Sequence, residues 1–158
     1  MVPNSMTELK TRHLFRITMQ LPPTLELGET PAGTRRVFIV SGGHFVGDRL
    51  RGDVLPQAGS DLLLTRADGS SQQDVRVILR TDDGALILMT YRGVRHASPD
   101  VNARIAKGEQ VPPSDYYLRT APFFETSSPV YAWLNRIVSV GLGERHPDGV
   151  TYEVFEVL

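Results

Sequence analysis

Asp-Gly pairs stand at Asp68-Gly69, Asp83-Gly84 and Asp148-Gly149, each between two runs of alternating or β-branched residues. Asp-Gly supplies the positive φ angles that tight hairpin turns need, so each pair points to two strands folded back on one another. More than any other feature, this limits the chain to antiparallel β structure. The segment 13–21 alternates, with Phe15, Ile17, Met19 and Leu21 on one side and Leu14, Arg16, Thr18 and Gln20 on the other. Pro22-Pro23 ends it, because proline removes a ladder donor. The segment 34–43 is β-branched and runs into Gly42-Gly43, which suits a bulge or sharp bend. Further strands are expected at 49–56, 61–66, 73–81, 85–94, 116–120, 131–141 and 149–157. One helix interrupts the pattern over 99–107, with Ser98 as N-cap, Pro99 as first helical residue, Val101 and Ile105 on one face, and Gly108 as the stop. It is expected to cover one end of the sheet.

About nine short antiparallel strands in one chain imply a closed or nearly closed β-barrel, since closure removes exposed edges. A two-sheet β-sandwich is the alternative. The 158 residues suffice for one domain with a real core. Residues 1–10 are expected to form a flexible tail and 11–158 a single barrel domain. The polar N-terminus lacks the apolar centre of a signal peptide, and no apolar run approaches a membrane span, so a cytoplasmic protein without a membrane partner is expected. The 17 basic and 18 acidic residues nearly cancel, which argues against nucleic acid as a partner. Absence of Cys excludes disulfides and thiolate chemistry. Fifteen of the basic residues are Arg, whose planar fork suits carboxylate or phosphate, although base composition accounts for most of them.

Alternation sorts the candidate site residues by strand face. Asp74, Arg76, Ile78 and Arg80 share one face, Tyr117 and Arg119 another, and Trp133, Asn135, Ile137 and Ser139 a third. If these faces look into a barrel lumen, Arg76 and Arg119 clamp an anion, Asp74 holds an Arg in place, and Trp133 and Tyr117 supply flat walls. The competing reading turns these faces to water and makes the Val and Leu faces the core, the ordinary pattern for 73–81. His96, beside Arg95 before the helix, is a candidate general acid or base, against a loop histidine with a local hydrogen bond. Glu125 is an acid with a raised pKa if buried, and otherwise a loop carboxylate. His44 follows Gly42-Gly43 and is weighed in the same way. The histidines form neither HxH nor HExxH, so no metal is expected. Gly141-Leu142-Gly143 starts like a dinucleotide loop, but position 146 is His and a strand follows, so no cofactor is expected either.

The blocks "GGHFVGDRLRGDVLP", "LRTDDGALILMTYRGVRH", "YYLRTAPFFET" and "YAWLNRIVSVGLGER" resemble, in this order, a largely bacterial family labelled domain of unknown function 3237. The resemblance spans roughly residues 14–157. It implies a single-domain antiparallel barrel broadly similar to calycin or lipocalin-like barrels, and no established reaction. The resemblance maps family blocks onto Gly42, Gly43 and Gly47, onto Arg80 through Ala85, onto Tyr116, Tyr117, Arg119, Thr120, Pro122, Phe124, Glu125 and Thr126, and onto Tyr131 through Asn135.

Two functions follow as expectations. The first is a small-molecule-binding barrel for an anionic aromatic or enolate-like metabolite. It would act with or without cofactor-independent isomerase, lyase or cyclase chemistry, in which His96, Tyr117 or Glu125 moves a proton. The alternative is a non-enzymatic interaction or structural module that forms a homodimer through its aromatic block.

Overall fold

The turn chemistry yields eleven strands: β1 (Thr11–Gln20), β2 (Leu25–Thr30), β3 (Gly33–Ile39), β4 (Gly42–Val46), β5 (Arg51–Val54), β6 (Ser60–Thr65), β7 (Ser71–Thr81), β8 (Leu86–Ala97), β9 (Tyr116–Glu125), β10 (Ser139–His146) and β11 (Gly149–Val157). The structure, a computed structural model, describes residues 7–158; residues 1–6 of the expected tail lie outside the described residues. The strands form one sheet in the order β2-β3-β6-β7-β5-β4-β1-β11-β10-β9-β8, and β7 also pairs with β8. That last pairing closes β7, β5, β4, β1, β11, β10, β9 and β8 into an eight-stranded antiparallel barrel. The sandwich alternative is thereby set aside. The strands β2, β3 and β6 continue the wall past one end of the barrel: β6 pairs with residues 71–76 of β7, and β5 with residues 79–81.

Three segments differ from the sequence expectation. The segment 34–43 splits into β3 and β4 at a bend, where Gly42 and Gly43 hold φ of +138° and +151°. A Cβ on Gly43 would lie 2.0 Å from the Thr18 carbonyl oxygen, so β4 reaches β1 only through glycine. The strand β2 was not expected, because its charges and its bulge between Glu26 and Gly28 break the period of two. The segment 131–141 is not one strand. Ala132–Arg136 forms a short 3-10 helix, and β10 starts at Ser139. A short apolar run cannot by itself separate strand from helix. The Asn135 side chain decides the outcome, accepting from the Thr126 N–H (2.8 Å) and donating to the Thr126 carbonyl (2.9 Å).

The helix α1 (Pro99–Ala106) forms as expected. The Ser98 hydroxyl accepts from the Val101 N–H at 3.2 Å, and Gly108 at φ +81° follows the C-cap. Val101 is buried in the core, and Ile105 packs against it.

The 3-10 helix seals the opposite end of the barrel. Leu134 is fully buried there, and Phe15 packs edge-on against Phe45 at 5.5 Å and tilted against Phe124 at 5.9 Å. Burying one such ring stabilises the fold by roughly 2–3 kcal/mol. Outside this plug the Arg49 guanidinium lies 3.5 Å over the Trp133 ring and bonds Glu156, which also pairs with Arg12.

Candidate functional site

Toward the α1 end, the inward positions of the same strands change from aliphatic to polar. Along β8 they run Ile87, Met89, Tyr91, Gly93, Arg95; along β7 they run Leu79, Val77, Val75, Gln73, Ser71. The strand β11 contributes Tyr152, β6 contributes Asp61, and β10 contributes Arg145. These groups line an inner slot of about 40 Å³, which Met19, Val75 and Leu118 wall on its apolar side. Past Phe38, Arg95 and Arg145 the slot meets a mouth cavity of about 450 Å³, whose rim includes Arg36, Tyr116 and the α1 residues Asn102 and Ile105. The Arg145 N–H donates to the Tyr116 hydroxyl at 2.8 Å, tying the start of β9 to the end of β10.

Two local features shape the inner wall at this end. Gly93 faces inward, and a Cβ there would lie 2.6 Å from Thr120 Cγ2 and 2.9 Å from Gln73 Oε1. The β6–β7 ladder pairs Asp61 with Val75 and Leu64 with Gln72, leaving Gln73 and Asp74 without ladder partners on β6. The Asp61 carboxylate instead accepts the Asp74 N–H at 3.1 Å.

Burial dominates the electrostatics. It raises the Asp61 carboxyl from 3.8 to about 7, opposed first by the hydrogen bond from the Asp74 N–H and then by Arg36 and Arg145, with the Asp74 charge adding to the rise. Burial also pushes the Tyr91 and Tyr152 hydroxyls, which hydrogen-bond each other, upward, so both stay neutral at pH 7. Burial, then the charges of Arg145 and Arg36, lowers Arg95 to about 10; it remains a cation at neutral pH. Arg145 is lowered for the same reason. Among the described residues, none of Arg36, Arg95 and Arg145 belongs to an ion pair. Gln73 Oε1 and Arg95 Nη1 are buried without a hydrogen-bond partner. The arrangement therefore offers positive charge to an anion, two neutral phenols, and one carboxyl that exists in both protonation states near neutrality. Among the described residues no group of three His, Asp or Glu converges as a metal-ligand set.

The residues singled out from sequence lie elsewhere, because the Val and Leu faces make the interior. Arg76 is exposed and Asp74 half-exposed, in a shallow outer hollow with Arg92 and Phe123. Tyr117 and Arg119 also face outward: the Tyr117 ring stacks on His96 at 5.0 Å, with the Arg119 guanidinium 5.0 Å from its centre. Glu125 and His96 are exposed, as is His44. Trp133 and Asn135 sit at the sealed end, the first under Arg49 and the second clamped to Thr126. The expectation that these side chains converge in a lumen is corrected on this orientation. Asp61, Gln73, Tyr91, Arg95, Arg145 and Tyr152 are the groups that the fold brings together. Their signal was present on 85–97, where the aliphatic face Ile87, Met89 continues at the same period into Tyr91 and Arg95. Ending that strand at residue 94 hid it.

The family model described as protein of unknown function (DUF3237) matches residues 9–157. The chain belongs to the DUF3237 family. A UPF0311 protein of Rhodopseudomonas palustris is 34% identical over 150 residues, covering 95% of this chain and 97% of that one. Its crystal structure, of a conserved protein of unknown function, superposes with a TM-score of 0.92 over 96% of this chain and 99% of that one. A beta-barrel like protein from Acinetobacter baumannii is 37% identical, with a TM-score of 0.83 over 96% of this chain and 97% of that one. A protein of Penicillium herquei called a hydroalkoxylation enzyme is 29% identical over 129 residues, covering 81% of this chain and 70% of that one. Among the described residues no helix is long and apolar enough to cross a membrane.

Proposed function

We propose that the α1 end of the barrel binds a small anionic, partly flat metabolite and moves a proton on it without a cofactor, as an isomerase, lyase or cyclase does. The observation that carries this reading is Asp61, a buried carboxyl titrating at about 7, facing two neutral tyrosines beneath unpaired Arg95 and Arg145. In such a site an arginine stabilises the oxyanion, and Asp61 takes or gives the proton, its pKa matched to neutral pH. The mouth admits the body of the molecule, and the slot admits only a small reacting end. The Penicillium herquei relative supports the class of chemistry: hydroalkoxylation adds an O–H across a C=C bond, which needs an acid and a base in one pocket.

The test is capture followed by exchange. Protein incubated with an extract of acidic metabolites and recovered by gel filtration retains a compound identifiable by mass spectrometry, and Arg145→Met retains far less. In D2O the wild type incorporates deuterium into that compound, and Asp61→Asn does not. Equal retention by Arg145→Met refutes the binding site; equal exchange by Asp61→Asn refutes the acid–base role.

A second reading, a homodimer through the aromatic block, draws on the exposure of Tyr117, Phe123, Val138 and Leu142 on and beside β9 and β10. Light scattering on wild type and Phe123→Ser separates it. A dimer lost in the variant supports it, and a monomeric wild type removes it.

A further inference from the structure

Two atoms of the inner slot distinguish one kind of anion from another. Arg95 Nη1 is a buried donor and Gln73 Oε1 a buried acceptor, and neither has a partner. They come from adjacent strands, since Gln73 pairs with Gly93 and Ser71 with Arg95 across β7–β8. Gln73 Oε1 packs against Gly93, where a Cβ would come within 2.9 Å of it, and Gln73 and Arg95 both line the slot. The slot holds about 40 Å³. A water needs roughly 10–15 Å³ of such free space, so the slot has room for a hydroxyl and the oxygen beside it. Leaving a buried donor or acceptor unsatisfied costs about 1–3 kcal/mol. A ligand that meets both atoms is therefore favoured over one that meets only the arginine.

We infer that the molecule bound here presents to the slot a hydroxyl next to a carboxylate or carbonyl oxygen, the oxygen anion on Arg95 and the hydroxyl on Gln73. This inference rests on the anion-binding reading above and narrows its substrate class to hydroxy-acids and hydroxy-carbonyls of the salicylate or enol type. A hydroxyl both donates and accepts, so it satisfies the Gln73 amide in either orientation of that group. Arg36 and Arg145 remain at the mouth for further negative charge on the body of the molecule. A hydroxyl held in the slot also lies among the same side chains as Asp61, Tyr91 and Tyr152, where its proton can be exchanged.

The experiment measures binding of benzoate, salicylate and 4-hydroxybenzoate by calorimetry to wild type, Gln73→Leu, the near-isosteric Gln73→Met, and Arg95→Met, each checked for a wild-type melting profile. The expected result is that wild type binds salicylate about ten-fold more tightly than the other two, the preference one well-placed buried hydrogen bond supplies. In either folded Gln73 variant salicylate and benzoate bind alike. Equal affinities in wild type, with all three weakened in Arg95→Met, overturn the hydroxyl assignment and leave the anion site standing; a water satisfying both orphan atoms gives this result. A salicylate preference that survives in both Gln73 variants also overturns it. If none of the three binds wild type, or Arg95→Met binds them as well as wild type does, the anion site itself fails, and this inference with it.

Discussion

The two ends of this barrel are built from the same strands and differ in what those strands point inward. At the sealed end Phe15, Phe45, Phe124, Ile87 and Leu134 interdigitate with almost no exposure. At the open end, a few residues further along, the inward set is Asp61, Gln73, Tyr91, Arg95, Arg145 and Tyr152. The sealed end supplies burial energy, and the open end spends part of it on desolvated charge. A buried carboxyl at about 7 and three unpaired guanidiniums do not stabilise a fold, so their presence argues for a ligand. The general lesson is that strand alternation divides inside from outside, while position along the strand divides core from site.

The largest effect belongs to the sealed end. Phe15→Ala should lower unfolding free energy by about 3–5 kcal/mol, read by urea denaturation, because it removes a fully buried ring and leaves a cavity. Ligand affinity of the folded fraction should not change; if affinity falls with stability, the two ends are not separable.

Asp61 sharpens the contrast from the other side. Its pKa is raised on folding, so the native state holds its proton where the unfolded chain has lost it. Its penalty is absent below about pH 4, grows as pH rises, and is complete above about pH 7. Wild type should therefore lose stability relative to Asp61→Asn between these limits, by an amount on the order of 2–4 kcal/mol. The comparison between variants matters because Glu156, whose pKa is lowered by Arg12 and Arg49, and Glu153, whose pKa is lowered by His13 and Arg16, act in the opposite direction at lower pH. A stability difference flat across this range contradicts the burial of Asp61.

The smallest effect is expected on the outer wall. Tyr117→Ala and Arg119→Ala remove exposed groups whose contacts are a ring stack, a cation–π approach at 5.0 Å and a hydrogen bond from Arg119 to the neighbouring Leu118 carbonyl, and each should change stability by no more than about 0.5 kcal/mol. Neither should weaken anion binding in calorimetry. A lost affinity in Arg119→Ala would return the site to the outer face.

The barrel was legible because its devices are local. Asp83-Gly84 sets one hairpin with Gly84 at φ +89°, the chain turns again at Pro147-Asp148 with Gly149 already paired to His146, Ser98-Pro99 starts the helix, and Phe15, Ile17 and Met19 mark a buried face. The site was less so, because convergence is not local. Asp61 and Tyr152 lie far apart in sequence and share a slot only after β6 joins β7 and the barrel closes. Tyr117, Arg119, Trp133 and Asn135 drew notice through composition, yet direction decides, and on β9 the inward set is Tyr116, Leu118 and Thr120. Asn135 had a further disguise, since its amide imitates a backbone pair with Thr126 in a segment that reads as strand.

The most direct measurement is a two-dimensional NMR titration of labelled protein with benzoate, following backbone amides and arginine side chains. Shifts should centre on Gln73, Gly93, Arg95 and Arg145, with Tyr117, Arg119 and Asn135 unmoved. Shifts centred on Tyr117 and Arg119, with Arg95 and Arg145 unmoved, would contradict it.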